Sequence, residues 1–279
     1  TSWEIDDMLR VSNPNRIFIR GERQAILWED MKASPEVRIQ YASKYRSSSN
    51  YWKNSIGMSR GILKLGVKAR KEAQEQAFRE WAAKNTLPEE GYLDALEKIR
   101  ESVEGLSKID HNLQYISEAF LNSIEILNPA YSFVGEAGIR PEIEDAARAK
   151  KALGGWYKDF SPATDRKVAK RMLRIAREKM TELPSFYTEI VDKQFGGDTD
   201  TYVDYLYDNS VFASAERLFA FIDNYSAETL AADPVMILAR SVREQFNSYN
   251  EAREPYLELY PEGHRKYIAG LMLQNPKKA

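Results

Sequence analysis

Tyr41–Met58 reads YASKYRSSSNYWKNSIGM, and the reading of this stretch decides both the fold and where function is sought. Its 18 residues hold three tyrosines, one tryptophan, three consecutive serines (Ser47, Ser48, Ser49) and the asparagines Asn50 and Asn54. A helix selected only for stability would carry Ala, Leu, Glu or Lys at those polar positions. Serine and asparagine hydrogen-bond nearby backbone in non-helical shapes and so weaken a helix. A local choice that disagrees with its helical surroundings marks a place to look for function. The competing reading is a crowded helix contact, in which small serines admit a neighbour and the rings fill core. Composition alone leaves both standing.

Outward from this stretch, proline and glycine punctuate the chain in a helical way. Proline suits the first helical position, where its missing N–H would have had no partner. Asn13-Pro14, Ser34-Pro35, Ser161-Pro162 and Asp233-Pro234 each pair a capping residue with such a proline. Thr86 to Glu89 has the Thr-x-x-Glu form of a capping box. Arg148, Lys150 and Lys151 precede Gly154-Gly155, cations followed by a glycine stop, and Gly196-Gly197 closes another segment. These marks predict helices at 14–33, 35–63, 66–84, 88–103, 106–127, 141–152, 162–181, 184–195, 199–209, 212–223, 234–259 and 263–274. Strand-like alternation is nearly absent, the short Ile17-Phe18-Ile19 run within Arg16–Arg20 being the exception. No repeat and no Ser- or Pro-rich linker divides the chain. The expected fold class is all-α, an antiparallel multi-helix bundle, with residues 1–279 as a single helical domain.

Composition removes several function classes. The 279 residues carry 40 Lys plus Arg against 42 Asp plus Glu, a balance unlike that of a dedicated nucleic-acid or membrane-surface protein. No run approaches the ~18 apolar residues of a membrane helix, and no basic-then-apolar leader opens the sequence. With no cysteine, disulfides, thiolate catalysis and cysteine metal sites are excluded. Two histidines, His111 and His264, lie far apart. His111 falls inside a predicted helix and reads as structural, although Asp110 beside it has the chemistry to orient an imidazole. His264 reads as a cap or surface residue.

Two charged stripes suggest each other. Between Asp165 and Lys179 there are seven Lys or Arg and two acids, with Val168, Met172, Ile175 and Met180 along one side at helical spacing. Such a basic face can bind an acidic partner, nucleic acid or anionic lipid. Asp200, Asp204 and Asp208 follow at four-residue spacing, so mutual docking or solvation is the preferred reading. Asp198-x-Asp200 lacks the later ligands, glycine and glutamate of a calcium loop, and no metal or cofactor site is expected. Gly-x-Ser-x-Gly, Ser-x-x-Lys, Walker and His-Glu-x-x-His patterns are all missing. On these residues alone the chain is not an enzyme.

Asn13-Pro14 with Arg16-Ile17, then Arg38–Tyr45 (RIQYASKY), Ser48–Asn54 (SSNYWKN) and Ile56-Gly57 together resemble the bacterial serine dipeptidyl-peptidases of the dipeptidyl-peptidase 7 and 11 type, serine peptidase family 46. The resemblance is strongest over residues 13–65, and Arg265–Leu273 (RKYIAGLML) is similar to the last helix of the same region. It implies an α-helical domain inserted in a chymotrypsin-like double β-barrel and cut out of its parent. The catalytic triad would then lie outside, and this fragment alone is expected to be inactive. The implied role is a cap over the active-site cleft that enforces removal of N-terminal dipeptides. The resemblance carries one residue over, Asn50, as a holder of the substrate's free α-amino group, with Ser49, Tyr51 and Trp52 as candidate cleft wall. The implied partners are a peptide N-terminus and the catalytic barrel of the same chain, with no nucleic acid or membrane, in a homodimeric parent. The periplasm or cell surface of a Gram-negative bacterium is the implied location. The opening residues lean to the Asp/Glu-specific branch. A different reading is a stand-alone helical interaction module using the 165–179 face.

Overall fold

The computed structural model describes residues 1–135 and 138–275. It is helical over most of that length, as the punctuation predicts, and its one sheet among the described residues is a two-stranded ribbon, β1 (Val134–Gly135) against β2 (Gly138–Ile139). Ile17-Phe18-Ile19 is helical.

Several helices run past their predicted ends, for reasons that recur. α1 (Ser2–Asp7) starts at a box in which the Thr1 side chain and Glu4 satisfy each other's backbone N–H. A π-turn over Met8–Ser12 joins it to α2 (Asn13–Ala33) without a break. Asn13 therefore caps nothing: it has helical dihedrals, and its amide donates to the Ser59 hydroxyl at 2.9 Å. Ser34 does cap, its hydroxyl accepting from Val37 N–H, and α3 (Pro35–Lys64) follows directly. Gly66, at φ +57°, turns the chain into α4 (Val67–Asn85). The expected capping box at Thr86 does not form. Thr86 ends α4, with its hydroxyl donating to the Ala82 carbonyl, and Pro88–Glu90 makes a single 3₁₀ turn.

The predicted break at Gly105 is also absent, because α5 (Ala95–Tyr115) runs through it and on into a π-turn at Ile116–Leu121. A Cβ at Gly105 would lie 2.2 Å from the Tyr256 ring, so this glycine is a contact and not a stop. After α6 (Leu127–Tyr131), α7 (Ala146–Tyr157) runs through Gly154-Gly155, where Phe219 packs 3.4 Å from the place of a Gly154 Cβ. α8 (Pro162–Lys179), capped by Ser161, matches its prediction. A π-turn at Tyr187–Asp192 leads into α9 (Lys193–Phe195), which does stop at left-handed Gly196. α10 (Thr199–Asn209), α11 (Ala215–Asp223) and α12 (Ala227–Ala231) follow. α13 (Pro234–Gln274) is one helix where two were predicted, continuing through Pro255, Pro261 and Gly263. A Cβ on Gly263 would sit 2.6 Å from the Ala95 carbonyl oxygen, and the Ser102 hydroxyl donates to the Tyr256 carbonyl at 2.6 Å. Close packing against α5 holds a helix that its prolines would weaken. His264 lies within this helix, stacked on Tyr260, and caps nothing.

Contacts divide the chain into two compact units, each assembled from segments far apart in sequence. One comprises 1–17, 53–113 and 248–279. Its core is Phe78, Ala95, Leu96, Ile99 and Tyr267, with Trp3, Trp81 and Tyr260 packed around them. Glu75, 2% exposed, accepts from both the N–H and the hydroxyl of Ser2 at 2.6 Å, tying α1 to α4. The other unit comprises 18–52 and 114–247 and buries the predicted stripe Val168, Met172, Ile175 and Met180.

Candidate functional site

α3 stays helical through all three serines, two of which neighbours cover. Ser48 and Ser49 are buried, and small side chains there let the surrounding helices approach. Tyr41 is buried too, its hydroxyl donating to Glu125 Oε2 at 3.2 Å. Trp52 is half-buried and lies against Gly21, where a Cβ would be 3.5 Å from the indole nitrogen. The crowded-contact reading therefore describes Tyr41, Ser48, Ser49 and Trp52.

The opposite face differs. Ser47, Asn50, Tyr51 and Asn54 fall at i, i+3, i+4 and i+7, and all four are exposed. Tyr51 is 59% exposed, and the Arg20 guanidinium lies over its ring at 5.0 Å. Arg20 is in turn held by Glu118 of the second π-turn at 2.9 Å. The Asn50 amide makes no hydrogen bond to another described residue. Of the three candidate cleft-wall residues, Tyr51 alone stands out into solvent beside Asn50.

Behind this face lies a charged network that sequence reading missed, since its members are scattered over 140 positions. Glu125, 6% exposed, accepts from Arg23 at 3.1 Å and from Lys44 at 2.8 Å. Asp165, at the start of α8, accepts the backbone N–H of Glu125 (2.8 Å) and Ile126 (2.9 Å) and the Tyr207 hydroxyl (2.6 Å). Burial, with the Glu125 charge adding to it, pushes the Asp165 carboxyl up to about 7. Burial by itself would favour replacing such groups, but removing one partner of a buried pair strands the other charge. The network fixes α2, α3, the 122–126 turn and α8 within one unit. An Asp-Pro pair was legible as a cap at Asp233; nothing in spacing revealed Asp165 as the acceptor for a distant turn.

The two charged stripes dock on each other. Arg166 and Lys170 pair with Asp204, Arg166 also with Asp208, and Arg174 with Asp200. Lys167 pairs with Asp30, Arg171 with Glu22, Arg177 with Asp192 and Lys179 with Glu178. All seven cations of the segment have acidic partners, as the mutual-docking reading expects. His111 receives the Asn15 amide at its Nδ1 (3.0 Å), while Asp110 pairs with Arg253 at 2.7 Å. Among the described residues no cluster of His, Asp and Glu has metal-binding form, and no helix is long and apolar enough to cross a membrane.

The sequence profile of the family Peptidase S46 matches residues 1–278. The chain belongs to that family. This S46 chain is 34% identical to dipeptidyl-peptidase 7 of Porphyromonas gingivalis over its whole length, spanning 40% of that protein. It is 31% identical to the Asp/Glu-specific dipeptidyl-peptidase of the same organism, with 98% of the chain and 39% of that protein covered. It thus spans about two fifths of the length of these relatives. In fold it matches the crystal structure of Porphyromonas endodontalis DPP11 in complex with the dipeptide Arg-Glu, with a TM-score of 0.82 at 24% identity, over 98% of this chain and 40% of that one. At that identity the likeness speaks to fold alone, and a helical region occupying 40% of a larger chain agrees with an insertion domain.

Proposed function

We propose that this S46 chain is the helical cap of a serine-type dipeptidyl-peptidase, and that Asn50 helps hold the α-ammonium of the substrate. The observation that carries the reading is the Asn50 amide itself, exposed and uncommitted on a helix whose opposite face is packed. Its side-chain oxygen accepts from an ammonium, and a rigid helix presents it without an ordering penalty. Tyr51, pinned under Arg20, walls the same surface. Binding the amine at a blind end leaves room for two residues before the scissile bond, and that contact positions the carbonyl for a serine supplied by the rest of the parent.

The triad, the oxyanion hole and the pocket for the residue before the scissile bond belong to that remainder, so this chain alone is expected to hydrolyse nothing. Dipeptidyl-peptidase 7 and the Asp/Glu-specific dipeptidyl-peptidase match it at similar identity, 34% and 31%, which fits a cap serving either branch. The lean to the acid-specific branch rests on the opening residues. A periplasmic or cell-surface location and a homodimeric parent belong to the same proposal. The test is kcat/KM of the full-length parent on a dipeptidyl substrate and on its Nα-acetylated form. Amine recognition is expected to reject the acetylated form by about a hundred-fold or more, since an unpaired polar site discriminates strongly. Equal rates would overturn the reading.

A further inference from the structure

A polar pocket of about 460 Å³ opens between α2, α3, the second π-turn and α7, wholly within the unit comprising 18–52 and 114–247. Arg20, Arg23 and Lys44 line it against Glu118 and Glu125, three cations to two carboxylates. Both carboxylates are already engaged: Glu118 by Arg20, and Glu125 by Arg23, Lys44 and Tyr41. The guanidinium side is not used up in the same way. Arg23 is 6% exposed, and its Nε–H is buried without an acceptor among the described residues. A buried guanidinium with an unmade donor beside a polar cavity is short of one hydrogen-bond acceptor. Tyr51 and Trp156 supply apolar ring faces on the same walls, and Ser47 stands at the exposed rim.

We infer that this pocket binds a small organic carboxylate of about amino-acid size, its carboxylate meeting Arg23 and its body resting on Tyr51 and Trp156. The excess positive charge selects an anion, arginine's fork favours a carboxylate, and the volume and rings favour an organic body over a bare ion. The inference does not depend on Asn50, whose amide is not part of the pocket lining.

The probe is N-acetylglycine, titrated into the 279-residue chain by calorimetry and by thermal melting at constant ionic strength. Its uncharged amide, N-acetylglycinamide, serves as control. Saturable binding of the acid with a rise in Tm, and none for the amide, is expected. Ser47→Asp, which adds a negative charge at the rim without touching an arginine pair, is expected to weaken binding by roughly tenfold or more. Arg23→Lys, which keeps the charge on Glu125 but removes the fork, is expected to weaken it as well. No saturable binding by the acid, equal binding of acid and amide, or unchanged affinity in Ser47→Asp would each overturn the assignment.

Discussion

Gly105 has no side chain because the Tyr256 ring occupies the place where one would go. Gly105→Ala is expected to destabilise the chain by about 1–3 kcal/mol through overpacking, despite alanine's better helix propensity. Urea unfolding measures it, and a gain in stability would contradict the packing account. Gly154 and Gly263 make the same point: glycines that look like helix stops in the sequence are contacts in the fold. Sequence shows that a glycine is present and not what approaches it, whereas the stop at Gly196-Gly197 was legible because two successive positive-φ glycines are a local matter. Glu125 extends the argument to charge. Glu125→Ala leaves Arg23 buried without its carboxylate and is expected to cost about 3–5 kcal/mol. A loss below 1 kcal/mol by the same measurement would mean that the network does not hold this unit.

At the scale of elements, α8 does two things. Its apolar stripe was readable from spacing and is buried as predicted. Its first-turn acid, Asp165, was not, because the turn that it anchors lies forty residues earlier in the chain. With the Asp165 carboxyl raised to about 7, the folded chain keeps a proton here that the unfolded chain has already released above the usual aspartate range. Stability is therefore expected to fall as pH rises from about 4 to about 7, by an amount on the order of a few kcal/mol. Asp165→Asn should flatten that slope in urea melts taken across the interval. A variant with the wild-type slope would place the titration elsewhere. The other face of α8 is neutralised by α10 and α2, although the individual pairs are partly exposed and each adds little stability.

For the whole molecule, that neutralisation has a consequence. A chain with 40 basic and 42 acidic residues, and with its most basic helix fully paired, offers no continuous cationic surface there. Electrophoretic mobility of duplex DNA is expected to be unchanged by the chain at about 0.15 M salt; a salt-sensitive shift would favour the interaction-module reading. The all-α class was legible from helical punctuation. The family was legible because the string around Asn50 is long and compositionally odd, and the match over residues 1–278 places the chain in it. The division into two units was not legible, since each is built from distant segments and no linker composition marks the change.

The central claim is that the amine anchor of an S46 dipeptidyl-peptidase sits on this helical domain at Asn50. Its most direct measurement is kcat/KM of the full-length parent carrying Asn50→Ala or Asn50→Asp, on a dipeptidyl substrate with a free N-terminus. Asn50→Ala is expected to lose about ten-fold to over a hundred-fold with folding intact, from one charge-assisted hydrogen bond of about 1.5–3 kcal/mol. Asn50→Asp, which keeps an acceptor for the ammonium, is expected to recover much of that loss. Wild-type kcat/KM in Asn50→Ala would contradict the claim and leave Asn50 an exposed surface residue.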